Sequence, residues 1–231
     1  MQSRINEKKS LQRLLNIIGE LREKCPWDKK QTYQSLRYLT IEETYELSQA
    51  IISDNFDDIK EELGDLLLHI LFYAKIFSEK DMFNITDIMN SLCDKLIRRH
   101  PHIYGSLKVK NETEVIQNWE KIKLKEKKDI SVLSGIPDHI PTILKSIRIY
   151  EKIKGVGVDL GNKDSSIYNN KDIITKISKL KFNKLNETDI GEILFYIITN
   201  SKKSDINPID SLDKFNLEIK NKYKNKKITN S

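Results

Sequence analysis

Residues 40–71 read TIEETYELSQAIISDNFDDIKEELGDLLLHIL, and this stretch decides the fold. On either side of Asp54-Asn55 the apolar residues recur at helical spacing, with Tyr45, Leu47 and Ile51 before it and Leu63, Leu66, Leu67, Ile70 and Leu71 after it. Thr40 followed by Glu43 is a capping-box pattern, so the first helix is expected to open at Thr40 and run to about Ser53. The second begins near Phe56, with Asp57 and Asp58 in the first turn where the helix dipole favours acids, and runs to Phe77. So short a turn between two amphipathic helices makes an antiparallel hairpin.

Outward from the hairpin the same period continues. Leu11, Leu14, Leu15, Ile18 and Leu21 predict a helix over residues 5–24 that stops before Pro26, and Cys25-Pro26-Trp27-Asp28 reads as a loop. Asn84-Ile85-Thr86-Asp87 opens a helix through Ile88, Leu92, Leu96 and Ile97 that Pro101 ends, and a polar helix covers about 112–128. Pro137 and Pro141 mark a linker, followed by a helix over 142–154 and the Gly-rich stretch Gly155-Val156-Gly157-Val158-Asp159. Weaker helical patterns at 173–180, 190–199 and 209–223 repeat the order of the first half, as a decayed internal repeat would. With only 8 Gly and 5 Pro in 231 residues there is little turn material for many short strands. An all-α fold in two tandem domains, 1–130 and 131–231, is expected.

The net charge of +6 lies mostly beyond Lys128. Without interleaved aromatics or a recognisable module, the tail Lys220-Asn221-Lys222-Tyr223-Lys224-Asn225-Lys226-Lys227 reads as compositional bias, and nucleic acid is not an expected partner. Cys25 and Cys93 are too far apart for a redox or zinc pair, and no long apolar run predicts a membrane span, so the cytoplasm is the expected compartment.

Glu42, Glu43 and Glu46 share one helix of the hairpin, and Glu61, Glu62 and Asp65 the other. Glu46 and Glu62 each lie about eight residues from the turn, roughly 12 Å along the axis, and Glu43 and Asp65 about eleven residues from it. These acids flank the apolar stripes, so some must be partly buried together, which is costly unless a cation cancels them. Solvated Glu-rich faces are common. Two acidic sets at matched depth, short of basic partners, point instead to Glu43, Glu46, Glu62 and Asp65 as ligands of a hard divalent cation such as Mg²⁺.

Cys25-Pro26-Trp27-Asp28, Gln31-Thr32, Leu39-Thr40-Ile41-Glu42-Glu43-Thr44-Tyr45-Glu46, Glu62-Leu63-Gly64-Asp65-Leu66-Leu67 and Lys95-Leu96-Ile97-Arg98-Arg99-His100-Pro101-His102 together resemble the MazG family of nucleoside triphosphate pyrophosphohydrolases. The resemblance spans residues 5–128. It implies an all-α, Mg²⁺-dependent and usually dimeric protein that cleaves a nucleoside triphosphate to the monophosphate and pyrophosphate. The family's metal-binding acids fall on Glu43, Glu46, Glu62 and Asp65, with Glu42 and Glu61 adjoining. Its phosphate-contacting Lys and Arg fall on Lys95 and Arg99, and its later Trp and Lys on Trp119 and Lys123. A water activated at the metal is then expected to attack the α-phosphorus in line, with Glu46 or Glu43 taking its proton. The alternative is a non-catalytic helical dimer that binds nucleotides or a protein partner.

Four further residues stay open on sequence alone. His100 and His102 suit loop or capping roles better than metal ligation, because no third ligand accompanies them. Trp27 and Trp119 are each either a base-stacking ring or a buried anchor.

The second half is similar to the second domain of two-domain members, but departs from it. Asp189-Ile190-Gly191-Glu192 stands where Glu-x-Gly-Asp is expected, the preceding helix carries Lys176 and Lys179 instead of glutamates, and Glu218 and Lys222 replace the Lys and Arg. A cation among the ligand positions and an anion where phosphate would bind imply a catalytically dead domain that packs, dimerises or regulates.

Overall fold

The computed structural model describes residues 2–127, 131–158, 170–179 and 185–223. Lys128, Asp159, Leu180 and the Lys-rich tail beyond Tyr223 lie outside the described residues. Ten α-helices and one 3-10 turn form them, with no strand among the described residues, as the all-α reading expects. The chain divides into two compact units, Met1–Ile97 and Arg98–Ser231.

In the first unit, α1 (Gln2–Lys24) leads through the 3-10 turn (Asp28–Lys30) to α2 (Ser35–Ile52), α3 (Phe56–Ser78) and α4 (Ile85–Arg99). The stripe expected on α1 supplies Ile18, buried with Leu36 of α2 and Leu71, Phe72 and Ile76 of α3, while Leu14, Leu15, Leu39 and Leu68 close around them. Each fully buried side chain of this size contributes about 1.5–3 kcal/mol before entropy is counted. Arg22 fixes the approach to α2: its Nη1 donates to the carbonyls of Asp28, Lys29 and Gln31 at 2.6–3.0 Å, and its Nη2 pairs with Glu79 at 3.0 Å.

Thr40 does not cap α2. The helix opens five residues earlier, at Ser35, where Thr32 and Ser35 exchange hydrogen bonds: the Thr32 amide donates to Ser35 Oγ and the Ser35 amide to Thr32 Oγ1. Two hydroxyl residues three apart satisfied the opening turn upstream of the pattern read from the sequence. Inside the helix, Thr40 donates or accepts at Tyr73 Oη of α3 at 2.8 Å and lies 2.9 Å from the Leu36 carbonyl, so it ties the two helices together. The turn falls at Asp54-Asn55 as expected. Asp54 takes a left-handed φ of 51°, which a short polar side chain tolerates, and Asn55 Oδ1 accepts the Asp58 amide to cap α3. Trp27 is 57% exposed, which removes the buried-anchor reading.

The second unit begins at the last residues of α4. Pro101 ends α4 and also opens a short helix not anticipated from sequence, α5 (Pro101–Tyr104), since proline is at home in a first helical turn. There follow α6 (Glu112–Lys127), α7 (Thr142–Gly155), α8 (Asn170–Lys179), α9 (Glu187–Lys203) and α10 (Pro208–Tyr223). Tyr150 of α7, Ile173 of α8 and Ile193 of α9 form its core. Where α6 meets α7, Glu120 receives Lys123 at 3.1 Å and the buried Lys152 at 3.9 Å. Gly155 makes room for it, because a Cβ there would stand 2.8 Å from Glu120 Cγ.

Candidate active site

Glu62 and Asp65, one turn apart on α3, face Glu43 of α2, and one carboxylate oxygen from each of the three lies within 4.8 Å of the others. All three are half-buried. Burial pushes the Glu43 carboxyl up first, and the charges of Asp65 and Glu46 push it further. Burial is also the leading cause for Glu62, followed by Glu46 and by its hydrogen bond with Glu43. Among the described residues none of the three forms a salt bridge, and Lys60 pairs with Asp57 at 3.8 Å instead. A low-exposure group of acids with no cation is costly, and its donors are the hard oxygens that Mg²⁺ prefers.

Glu46 stands apart from this trio. It is exposed, and with Glu42 it lines an open groove on α2 together with Tyr38, Ile41, Tyr45 and Gln49. Its charge still acts on both Glu43 and Glu62. Glu61 is exposed on α3. His69, one turn beyond Asp65, was not singled out from sequence. It is 7% exposed, its Nδ1 has no hydrogen-bond partner, and burial pulls its pKa down while Asp65 opposes. Its only sequence signal is a polar residue four after an acid on an otherwise apolar face.

Lys95 is exposed on α4 in the first unit. In the second unit Arg99 and Trp119 are together, with the guanidinium 5.4 Å from the ring centre. Arg99 also makes charge-assisted hydrogen bonds to Glu126, at 3.0 Å from Nε and 2.5 Å from Nη2, and Arg98 reaches the same carboxylate at 2.6 Å. His100 meets Trp119 edge-on at 4.9 Å and lies 5.6 Å from His102, and neither histidine joins a metal-competent group among the described residues. Trp119 is thus a half-buried platform for cations, and Lys123 is directed to Glu120.

Comparison with known proteins bears on these residues directly. The MazG nucleotide pyrophosphohydrolase domain is matched over residues 31–104, a span that contains the whole α2–α3 hairpin. The "Nucleoside triphosphate pyrophosphohydrolase" of Escherichia coli K12 is 34% identical over 226 residues, covering 93% of this chain and 86% of that one. The chain belongs to the MazG family. A second MazG relative, the "Nucleoside triphosphate pyrophosphohydrolase/pyrophosphatase MazG" of Thermotoga maritima, is 35% identical over 91% of this chain and 83% of its own. A crystal structure of a mazG-related protein from the same organism aligns with a TM-score of 0.44 and 25% identity, over 48% of this chain and 97% of that one.

A second helix pair, α8 and α9, treats its acids differently. Lys176 of α8 places Nζ 2.8 Å from Asp189 Oδ1 and 2.6 Å from Glu192 Oε2 of α9. Hydrogen bonding to Asp189, then to Glu192, pushes the Lys176 ammonium up to about 12. The other oxygen of Asp189 accepts the Asn186 amide and completes a capping box, so this carboxylate is committed twice. Glu218 and Lys222 are exposed on α10.

Proposed function

We propose that this chain is a Mg²⁺-dependent nucleoside triphosphate pyrophosphohydrolase that converts a triphosphate and water to the monophosphate and diphosphate. The observation that carries this reading is the half-buried Glu43–Glu62–Asp65 trio, left without a counter-cation in a chain of this family. The donor set fits a hard divalent ion, held by these three with Glu46 as fourth acid and Glu42 and Glu61 adjoining. When bound, the ion supplies positive charge that offsets the triphosphate and polarises its reacting phosphorus. Water attacks the α-phosphorus, its proton passes to Glu46 or Glu43, and the bond from the α-phosphorus to its bridging oxygen breaks to release diphosphate. Lys95, Arg99, Trp119 and Lys123 are the proposed substrate contacts, the cations for phosphate oxygens and the ring for stacking.

The apolar groove along α2, where Tyr38 and Tyr45 are each 62% exposed, supports a homodimer. No helix among the described residues is long and apolar enough to cross a membrane, and the proposed setting is the cytoplasm, with the nucleotide pool as substrate. Residues 131–231 are read as a degenerate second MazG domain in which Lys176 stands in for the ion. The test is turnover of a nucleotide panel with Mg²⁺ by wild type and by Glu46→Gln. Monophosphate and diphosphate as products, with a loss on the order of a hundredfold in the variant, are expected. Orthophosphate as the product would overturn the reaction class, and an unaffected rate in the variant would remove Glu46 from it.

A further inference from the structure

The two arginines that close α4 share one acid. Trp119 and Glu126, seven residues apart on α6, lie on one face of that helix, and Arg99 fills the space between them. Its Nε and Nη2 edge is taken by the Glu126 carboxylate, and its Cζ lies over the Trp119 ring, 5.4 Å from the ring centre. The side chains of Arg99 and Glu126 are 14% and 19% exposed, so neither is a loose surface group, whereas Arg98 is 53% exposed and meets the same acid from the solvent side. Among the described residues Nη1 of Arg99 has no hydrogen-bond partner. Glu126 is held charged through any working pH, because hydrogen bonds from Arg99 first and Arg98 second keep its carboxyl down at about 2.

A guanidinium is planar, so holding its Nε and Nη2 edge on a carboxylate sets the side on which the remaining N–H groups point. We propose that Glu126 is the positioning residue of the substrate-binding arginine: it fixes the Arg99 guanidinium so that the N–H groups left over, those of Nη1 and the second of Nη2, are presented to a phosphate oxygen. Two cations on adjacent residues repel, and the shared carboxylate offsets that repulsion. Pre-fixing a flexible cation removes the rotamer entropy that substrate would otherwise have to overcome, so the loss of Glu126 weakens phosphate binding even though it raises the local positive charge. This inference rests on the reading of Arg99 as a phosphate contact, and the two can fail separately.

The test is calorimetric titration of inorganic tripolyphosphate, in Mg²⁺, into the full chain as wild type, Arg99→Ala, Glu126→Gln and the double variant, each checked for wild-type helicity and melting. Glu126→Gln keeps the shape and one acceptor oxygen while removing the charge. Arg99→Ala should weaken binding roughly tenfold and Glu126→Gln severalfold, as expected for charge-assisted bonds. In the Arg99→Ala background Glu126→Gln should change affinity by less than about twofold, since nothing is left to position. Equal losses in both backgrounds would make Glu126 a merely structural part of α6, and tighter binding by Glu126→Gln would make it a competitor of the substrate; either overturns the inference. Unchanged binding by Arg99→Ala would instead remove Arg99 as a phosphate contact, and Glu126 with it.

Discussion

Between α2 and α3 three carboxyls face one another with no cation; between α8 and α9 two carboxyls hold one ammonium. Each helix pair brings acids from one or both helices into a partly buried seam, and the problem of like charges is met in opposite ways. In the first pair repulsion and burial raise Glu43 and Glu62, a state that is unfavourable until a cation from outside enters. In the second the compensating charge is covalently part of the chain, and Lys176 is raised in its turn. A permanent cation makes a seam self-sufficient and leaves it nothing to bind an ion with.

The largest effect that could break this contrast is on catalysis. Asp65→Asn or Glu62→Gln should lower turnover by about a hundredfold or more, while in chelator both should melt higher than wild type, because a repelling charge is gone. A variant that loses activity but melts lower in chelator would show that the trio is not strained by its own charge. Lys176→Glu is the converse change. It places a third carboxylate between α8 and α9, so the melting temperature in chelator should fall and millimolar Mg²⁺ should recover part of it, with turnover little altered. No recovery by Mg²⁺ would mean that the second seam has lost more than a vacancy for the ion.

A smaller effect sharpens the view that the second unit is held by internally compensated charge. Gly155→Ala pushes a Cβ against Glu120, the acid shared by Lys123 and Lys152, and should cost about 1–3 kcal/mol in a denaturant melt. The smallest effect is the pH dependence of the metal-free chain. Glu43 and Glu62 have folded pKa values above the unfolded one, so the fold gains stability as pH falls through the raised values, a gain complete below the unfolded value near 4.5. Glu126, held near 2, acts oppositely and only below about 4.5. The Lys176 contribution is present below its unfolded value near 10.5 and is lost as pH rises toward 12. Asp65→Asn should flatten the first limb and Lys176→Met the alkaline one, read from melts across pH.

Helix identity was legible where the apolar period is strong: α1, α3 and α4 fall where the stripes of Ile18, Leu71 and Ile88 place them, whereas the four residues of α5 are too few to show a period. The start of α2 was not, because Thr32-Ser35 and Thr40-Glu43 are both sound capping patterns and only packing chooses, here by turning Thr40 inward to Tyr73. The trio was legible because distance from a tight turn converts directly to depth along two rods, and Glu46 missed it because depth fixes only one coordinate, while rotation about α2 carried its side chain to the groove with Tyr38 and Tyr45. His69 and Glu126 left almost no trace in sequence, being single polar residues whose meaning depends on a neighbour brought near only by folding.

The most direct measurement is the position of a bound ion. With Mn²⁺ soaked into crystals of the full chain, anomalous scattering should show a peak among Glu43, Glu62 and Asp65 and none between Asp189 and Glu192. A peak at the second pair, or none at the first with those carboxylates facing solvent, would contradict the account.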